Sequence, residues 1–272
     1  MSDPISTAQS TAAKAREAFS ADPAKLPAFV SALQTLGDAL RDSDITAAEA
    51  AYREAISGAD GQETSVGLLA NVRMNLATLL DFNERESDAA PFYEDAISDF
   101  EAIDTQAGRE VAAQLRNNLA MSYKGLGKYA LAEQHYLRAL ETLEAKHGRN
   151  SEAVATLFNN LGGLYYVAGF PDQAKDMFAD ALEVRMKVLG ADHRDTAQSY
   201  SNLAAACHEL RENDDAKAHF EKALAILEGQ VETEVRSFEA TSLDYIAMLE
   251  AIDDEALAAD VKSRLERVLA QA

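Results

Sequence analysis

Apolar positions recur along this chain at three- and four-residue spacing, and the pattern itself repeats. Between Gly108 and Gly148, one helical face carries Val111, Leu115, Leu119, Ala120 and Tyr123. After Gly125-Leu126-Gly127 a second face carries Ala132, Tyr136, Ala139, Leu140 and Leu143. Glycine tolerates the left-handed backbone of a tight helix end, so the spacing predicts two helices joined by a short turn. The scheme returns 42 residues later with Leu157, Leu161, Tyr165, Ala174, Phe178, Ala181 and Leu182, and Pro171 suits the first turn of a helix. It returns again with Leu203, Cys207, Ala216, Phe220 and Ala223, where Asp192 is the expected N-cap. Asn118-Leu119, Asn160-Leu161 and Asn202-Leu203 keep the same register.

Upstream, Asn75, Ala77, Ala89, Tyr93 and Ala96 repeat the pattern at a step of 43, and Ala48, Tyr52 and Ala55 at a further step of 41. Downstream, 233–270 holds a degenerate pair in which Ala258 keeps the alanine place and Lys262 replaces the aromatic. A period of this length marks a solenoid whose units bury their apolar faces against neighbours, with polar terminal units as caps. The repeats fall at about 27–58, 64–103, 107–148, 149–190, 191–230 and 233–270, within a solenoid over 23–272. Residues 1–22, rich in Ser, Ala and Thr, are expected to form a frayed or disordered tail.

Composition narrows the class. The single cysteine, Cys207, cannot form an internal disulfide and occupies the place of Tyr123 and Tyr165, so it is expected as a buried filler. No apolar run is long enough to span a membrane, and the N-terminus lacks a basic segment followed by an apolar run. The expected location is the cytoplasm. A net charge of −21 argues against nucleic acid and anionic lipid as partners. Residues 107–150 are the exception, with seven basic and four acidic side chains. Arg109, Arg116, Lys124, Lys128, Arg138, Lys146 and Arg149 form a basic segment that could meet an acidic partner.

The small and aromatic residues at set places on paired helices resemble the tetratricopeptide repeat. The long period, the NNLA and SNLA segments and the KVLGADHRDTA segment at Lys187–Ala197 resemble its kinesin-light-chain subtype. Arg194 departs from that subtype, which usually has proline there. The resemblance implies an all-α, right-handed α-solenoid. Residues 1–26 show no sustained heptads, so the likeness is to the stand-alone repeat domain. Its size is similar to the small bacterial members of the subtype, which accompany bacterial tubulins and imply a filament-binding accessory role.

In this fold family the inner faces of the first helices usually bind peptides. The corresponding residues here are Asn75, Gln114, Asn117, Asn118, Lys124, Thr156, Asn159, Asn160, Tyr166, Gln198, Asn202 and His208. Amides both donate and accept, so a row of them can pair with an extended peptide backbone. The repeated Asn75, Asn118, Asn160 and Asn202 fit equally well as bonds that hold the stack. The non-repeating Lys124, Tyr166 and His208 are better candidates for specificity. The Lys/Arg clamp for a C-terminal carboxylate is absent from these places, which disfavours a free acidic tail as ligand.

Chemistry is not expected. The histidines show no metal spacing, and the densest group, His208 with Asp214, Asp215 and His219, straddles a turn. There is no nucleophile, base and orienter set, so no enzyme, cofactor or metal is expected. The expected function is a protein-binding scaffold, either on bacterial tubulin-like filaments or as an adaptor for an extended peptide. Self-association stays open. The terminal helix, with Leu257, Val261, Leu265, Val268 and Leu269, is read as a cap in preference to a membrane contact.

Overall fold

The computed structural model describes residues 3–62 and 67–270. Among these residues the regular elements are all helical. They are α1 (Pro4–Ala21), α2 (Leu26–Leu40), α3 (Ile45–Gly58), α4 (Ala70–Phe82), α5 (Glu86–Ala102), α6 (Gln106–Gly125) and α7 (Tyr129–His147). The order continues with α8 (Glu152–Val167), α9 (Pro171–Val188), α10 (Arg194–Glu209), α11 (Asn213–Glu228), α12 (Val231–Ala251) and α13 (Glu255–Leu269). From α2 onward they form six helix-turn-helix pairs, an all-α solenoid of repeats. The expected second repeat opens at 64, outside the described residues. The chain divides into two compact units between Thr142 and Leu143, inside α7.

One turn geometry joins the helices within most pairs. The N–H groups of Arg85, Lys128, Phe170, Glu212 and Asp254 reach back five residues, to the carbonyls of Leu80, Tyr123, Tyr165, Cys207 and Leu249. This is the Schellman closure, and it requires a left-handed residue just before the donor. That residue is Glu84, Gly127, Gly169, Arg211 or Asp253, with φ of 57°, 69°, 82°, 62° and 59°. The five positions share one register. Two are glycine, and three place an ordinary side chain in the same conformation.

The pairs pack through alanine. Ala48, Ala89, Ala132, Ala174 and Ala216 are fully buried, as are Ala55, Ala96, Ala139, Ala181 and Ala223. Between them sit Tyr52, Tyr93, Tyr136, Phe178 and Phe220, all buried. Small residues on the facing helix leave room for these rings. A Cβ added at Gly37 would lie 2.4 Å from the Tyr52 ring, and one at Gly162 would lie 2.5 Å from Phe178. In the second unit the core runs continuously through Phe178, Leu203, Cys207, Phe220, Tyr245 and Val261. Tyr245 stacks on Phe220 with ring centroids 5.0 Å apart.

The last pair closes this core. Ala258, Val261, Leu265 and Val268 of α13 are buried, while Lys262, in the aromatic's place, pairs at the surface with Glu250. Among the described residues no helix is long and apolar enough to cross a membrane.

The N-terminal segment corrects the expectation of a frayed or disordered tail. Helix α1 begins at an Asp3 cap, buries Ala8 and Ala12, and packs on α2. Phe19 stacks on Phe29 at 4.6 Å, and Arg16 forks onto Glu54 with bonds of 2.7 and 2.6 Å. Its buried stripe is mostly alanine, too weakly apolar to stand out from the polar residues around it. A second correction concerns α10, whose N-cap is His193 rather than Asp192. The His193 Nδ1 accepts from the Asp195 N–H at 3.1 Å.

The shared turn makes a direct prediction. Gly169 has φ of 82° and open space where a Cβ would be, so Gly169→Ala strains only the backbone. Urea unfolding should show a loss of about 1–2 kcal/mol. An unchanged midpoint would contradict the left-handed assignment.

Candidate binding surfaces

Two grooves lie between neighbouring helices, one in each unit. In the first unit a groove of about 450 Å³ is lined by Met74, Asn75, Thr78 and Phe82 of α4 with Tyr52, Ile45 and Arg41. In the second unit a groove of about 440 Å³ is lined by Gln198, Ser201 and Asn202 of α10 with Ala240, Thr241 and Asp244 of α12. Phe82, at the mouth of the first groove, is 82% exposed. The sequence reading did not single it out, because one apolar residue beside a turn carries no period.

Asn75, Asn118 and Asn202 of the repeated asparagines are engaged with neighbouring helices. Asn75 Nδ2 donates to Asp38 Oδ1 of α2 at 2.7 Å, and Tyr52 Oη donates to the same oxygen at 2.6 Å. Asn118 hydrogen-bonds the Tyr93 hydroxyl of α5, which also lies 3.3 Å from Asp81 Oδ2. Ser122 Oγ donates to Asp81 Oδ1 at 2.6 Å. Asn202 Nδ2 donates to Asn159 Oδ1 of α8 at 2.8 Å. Asn160 is half-buried on α8. A first-helix acceptor thus takes bonds from its own repeat's buried tyrosine and from the next first helix. Burial first, and then the facing carboxylate, raises the Tyr52 and Tyr93 hydroxyls well above the ordinary phenol value.

The other expected groove residues are placed as follows. Gln114 is exposed on α6, and Asn117 donates to Asn118 Oδ1 at 3.3 Å. Thr156 Oγ1 is turned back onto the Glu152 carbonyl, 3.0 Å away. Gln198 accepts from Arg185 at 3.4 Å, and Tyr166 Oη donates to Glu209 at 3.4 Å. His208 Nδ1 lies 3.2 Å from Asn213 Oδ1. Lys124 is half-buried, has no ion-pair partner among the described residues, and burial depresses its pKa. It occupies the register place that Asp81 holds one repeat earlier, and the buried Tyr136 hydroxyl one helix on has no bonding partner.

The basic segment separates into used and unused cations. Arg109 pairs with Asp104 at 2.7 Å. Arg116 is buried and pairs with Glu101 at 2.7 Å. Arg149 bridges Asp180 at 2.7 Å and lies 4.5 Å over the Phe158 ring. Lys146 also has an internal partner. Lys124, Lys128 and Arg138 form no ion pair among the described residues. Lys128 instead lies 5.4 Å over the Tyr123 ring. The Tyr123 hydroxyl is pushed up to about 12 by burial and by its bond to Glu94.

No group of His, Cys, Asp or Glu among the described residues is arranged to hold a metal ion. Cys207 is buried, and desolvation pushes its thiol up to about 11.

Paired antiparallel helices stacked through small and aromatic residues, with grooves between neighbouring helices, define a helical-repeat interaction scaffold. The chain belongs to the tetratricopeptide-repeat family, which residues 111–169 and 154–229 match directly. BtubC (BKLC) from P. vanneervenii has a similar structure. The likeness covers 82% of this chain and 89% of that one, with 32% identity and a TM-score of 0.64. A Podosopora anserina kinesin light chain with nearly identical TPR-like repeats shares the fold at 16% identity and a TM-score of 0.63, covering 76% of this chain and 98% of that one. The apo form of RapI shares it at 13% identity and a TM-score of 0.63, covering 89% and 99%. No curated protein sequence matches the chain.

Two measurements check the roles assigned to buried polar groups. Asn202→Ala removes the bond to Asn159 and should lower unfolding stability by about 1 kcal/mol. Cys207 in the folded chain should resist maleimide at neutral pH, because only the thiolate reacts and its population there is minute. Rapid labelling before denaturant is added would contradict its burial.

Proposed function

We propose that this chain is a non-catalytic, kinesin-light-chain-like scaffold that acts in the cytoplasm as an accessory protein on bacterial tubulin-like filaments. The likeness to BtubC (BKLC), at 32% identity over most of both chains, carries this reading. The resemblance of the repeats to the small bacterial proteins that accompany bacterial tubulins supports it. Tubulins are acidic, so a scaffold of net charge −21 would be repelled unless it met them through local cations. Lys124, Lys128 and Arg138 are the members of the basic segment left without an ion pair among the described residues, and they supply that ground.

A second reading is an adaptor that takes an extended peptide. The groove between α10 and α12, with Gln198, Ser201 and Asn202 along one wall, favours it. Here the amides matter more than the cations.

Co-sedimentation with filaments assembled from purified bacterial tubulin-like subunits tests the first reading. Wild-type chain should pellet, and the triple variant Lys124→Glu, Lys128→Glu, Arg138→Glu should stay in the supernatant while keeping its helical circular-dichroism signal. Undiminished pelleting of the folded variant would sink the electrostatic version. Selective loss of binding in Asn118→Ala, Asn160→Ala would favour the peptide reading.

A further inference from the structure

The repeat register identifies which surface departs from the rest. Four places on α5 hold Glu86, Asp88, Glu94 and Asp95. Forty-three residues on, α7 holds Tyr129, Leu131, Leu137 and Arg138 at those same places. Elsewhere α3 holds Ile45, Ala47, Arg53 and Glu54 there, α9 Pro171, Gln173, Ala179 and Asp180, α11 Asn213, Asp215, Glu221 and Lys222, and α13 Glu255, Leu257, Ser263 and Arg264. Only α7 carries no acid at any of the four places. These side chains do not turn inward: Tyr129, Leu131 and Leu137 are 38%, 41% and 47% exposed, and Arg138 is exposed. Helical geometry sets Leu131, Gln134, Leu137 and Arg138 on one strip, all of them exposed. Lys128 precedes the first turn.

Resting on the filament reading above, we propose that this outward strip of α7 is the docking surface for the acidic protein lattice of the filament. Leu131 and Leu137 supply the desolvated centre, and Arg138 and Lys128 the charge complementarity. An apolar centre with cations beside it suits an acidic protein surface. It does not suit nucleic acid, which the net charge of −21 repels. A second copy could offer its own α5 acids, but two different faces of identical chains make a head-to-tail contact that propagates instead of closing. A preformed acidic lattice satisfies the strip without that consequence.

The test leaves every cation in place. In Leu131→Asp, Leu137→Glu, α7 receives at two places what α5 already carries, and both substitutions suit an exposed helix. Filament co-sedimentation should weaken at least about tenfold, as expected from losing two buried leucines. Wild-type binding should persist in part at about 0.5 M salt, where exposed charge pairs are screened. If the folded variant pellets like wild type, the α7 strip is wrong while the filament reading stands. If wild-type chain does not pellet at all, the filament reading falls and takes this proposal with it. If light scattering shows wild-type chains associating with each other and the variant monomeric, the strip is a self-contact and the proposal is overturned.

Discussion

The structure depends on alanine at two places in the second helix of the first five pairs. A methyl group is the largest side chain that lets two helix backbones meet there, and Ala132 and Ala139 are fully buried at that contact, as are their equivalents in adjacent repeats. Everything else follows from the short interhelical distance. The aromatic three or four residues away fills the space the methyl groups leave, and Gly37 and Gly162 on the facing helices make room for the ring. The connecting turn has to reverse the chain within a few residues. Hence the same Schellman closure recurs, at the expense of a left-handed backbone at Glu84, Arg211 and Asp253.

Polar links then decide which repeat follows which. Asp38 gathers Tyr52 and Asn75, and Asp81 gathers Tyr93 and Ser122, so a buried hydroxyl is satisfied by the same carboxylate that holds the next helix. At the surface, one register pair changes polarity along the chain. Glu49 faces Arg85 in the first unit, whereas Lys175 faces Glu212 and Lys217 faces Asp254 in the second. Such partly exposed pairs add little stability, about 0.2–1 kcal/mol each. Their reversed sign does more, because a repeat with Glu at one place is repelled by a neighbour with Glu at the other.

Much of this was legible in the sequence because a solenoid repeats its own evidence. The buried places, the turns and the capping role of the last pair all came from arithmetic on residue numbers. What stayed hidden depends on which side chains meet in space. The α1 stripe is alanine and carries almost no hydrophobic signal, yet it packs on α2. In the sequence Arg116 and Arg149 read as surface cations, whereas in the fold Arg116 pairs with Glu101 and Arg149 with Asp180. Seven basic residues reduce to three without an ion pair among the described residues, which no periodicity could have indicated. The asparagines were legible as a row, but only the neighbouring helices showed that Asn75 and Asn202 are bonded within the stack.

That division of labour separates scaffold from function. A side chain that recurs at every step and is bonded to the next helix is explained by stacking, and it needs no ligand. The places that break register while remaining exposed are not explained in that way. Lys124 stands where Asp81 held two neighbours, and it bears a charge that burial disfavours. Leu131 and Leu137 stand where α5 carries Asp88 and Glu94, and both leave much of their apolar surface exposed. Exposing apolar surface in a chain of net charge −21 carries a solvation cost. In the proposed docking, an acidic partner would cover that surface and bring the neighbouring cations into use at the same time, so one contact would account for both departures.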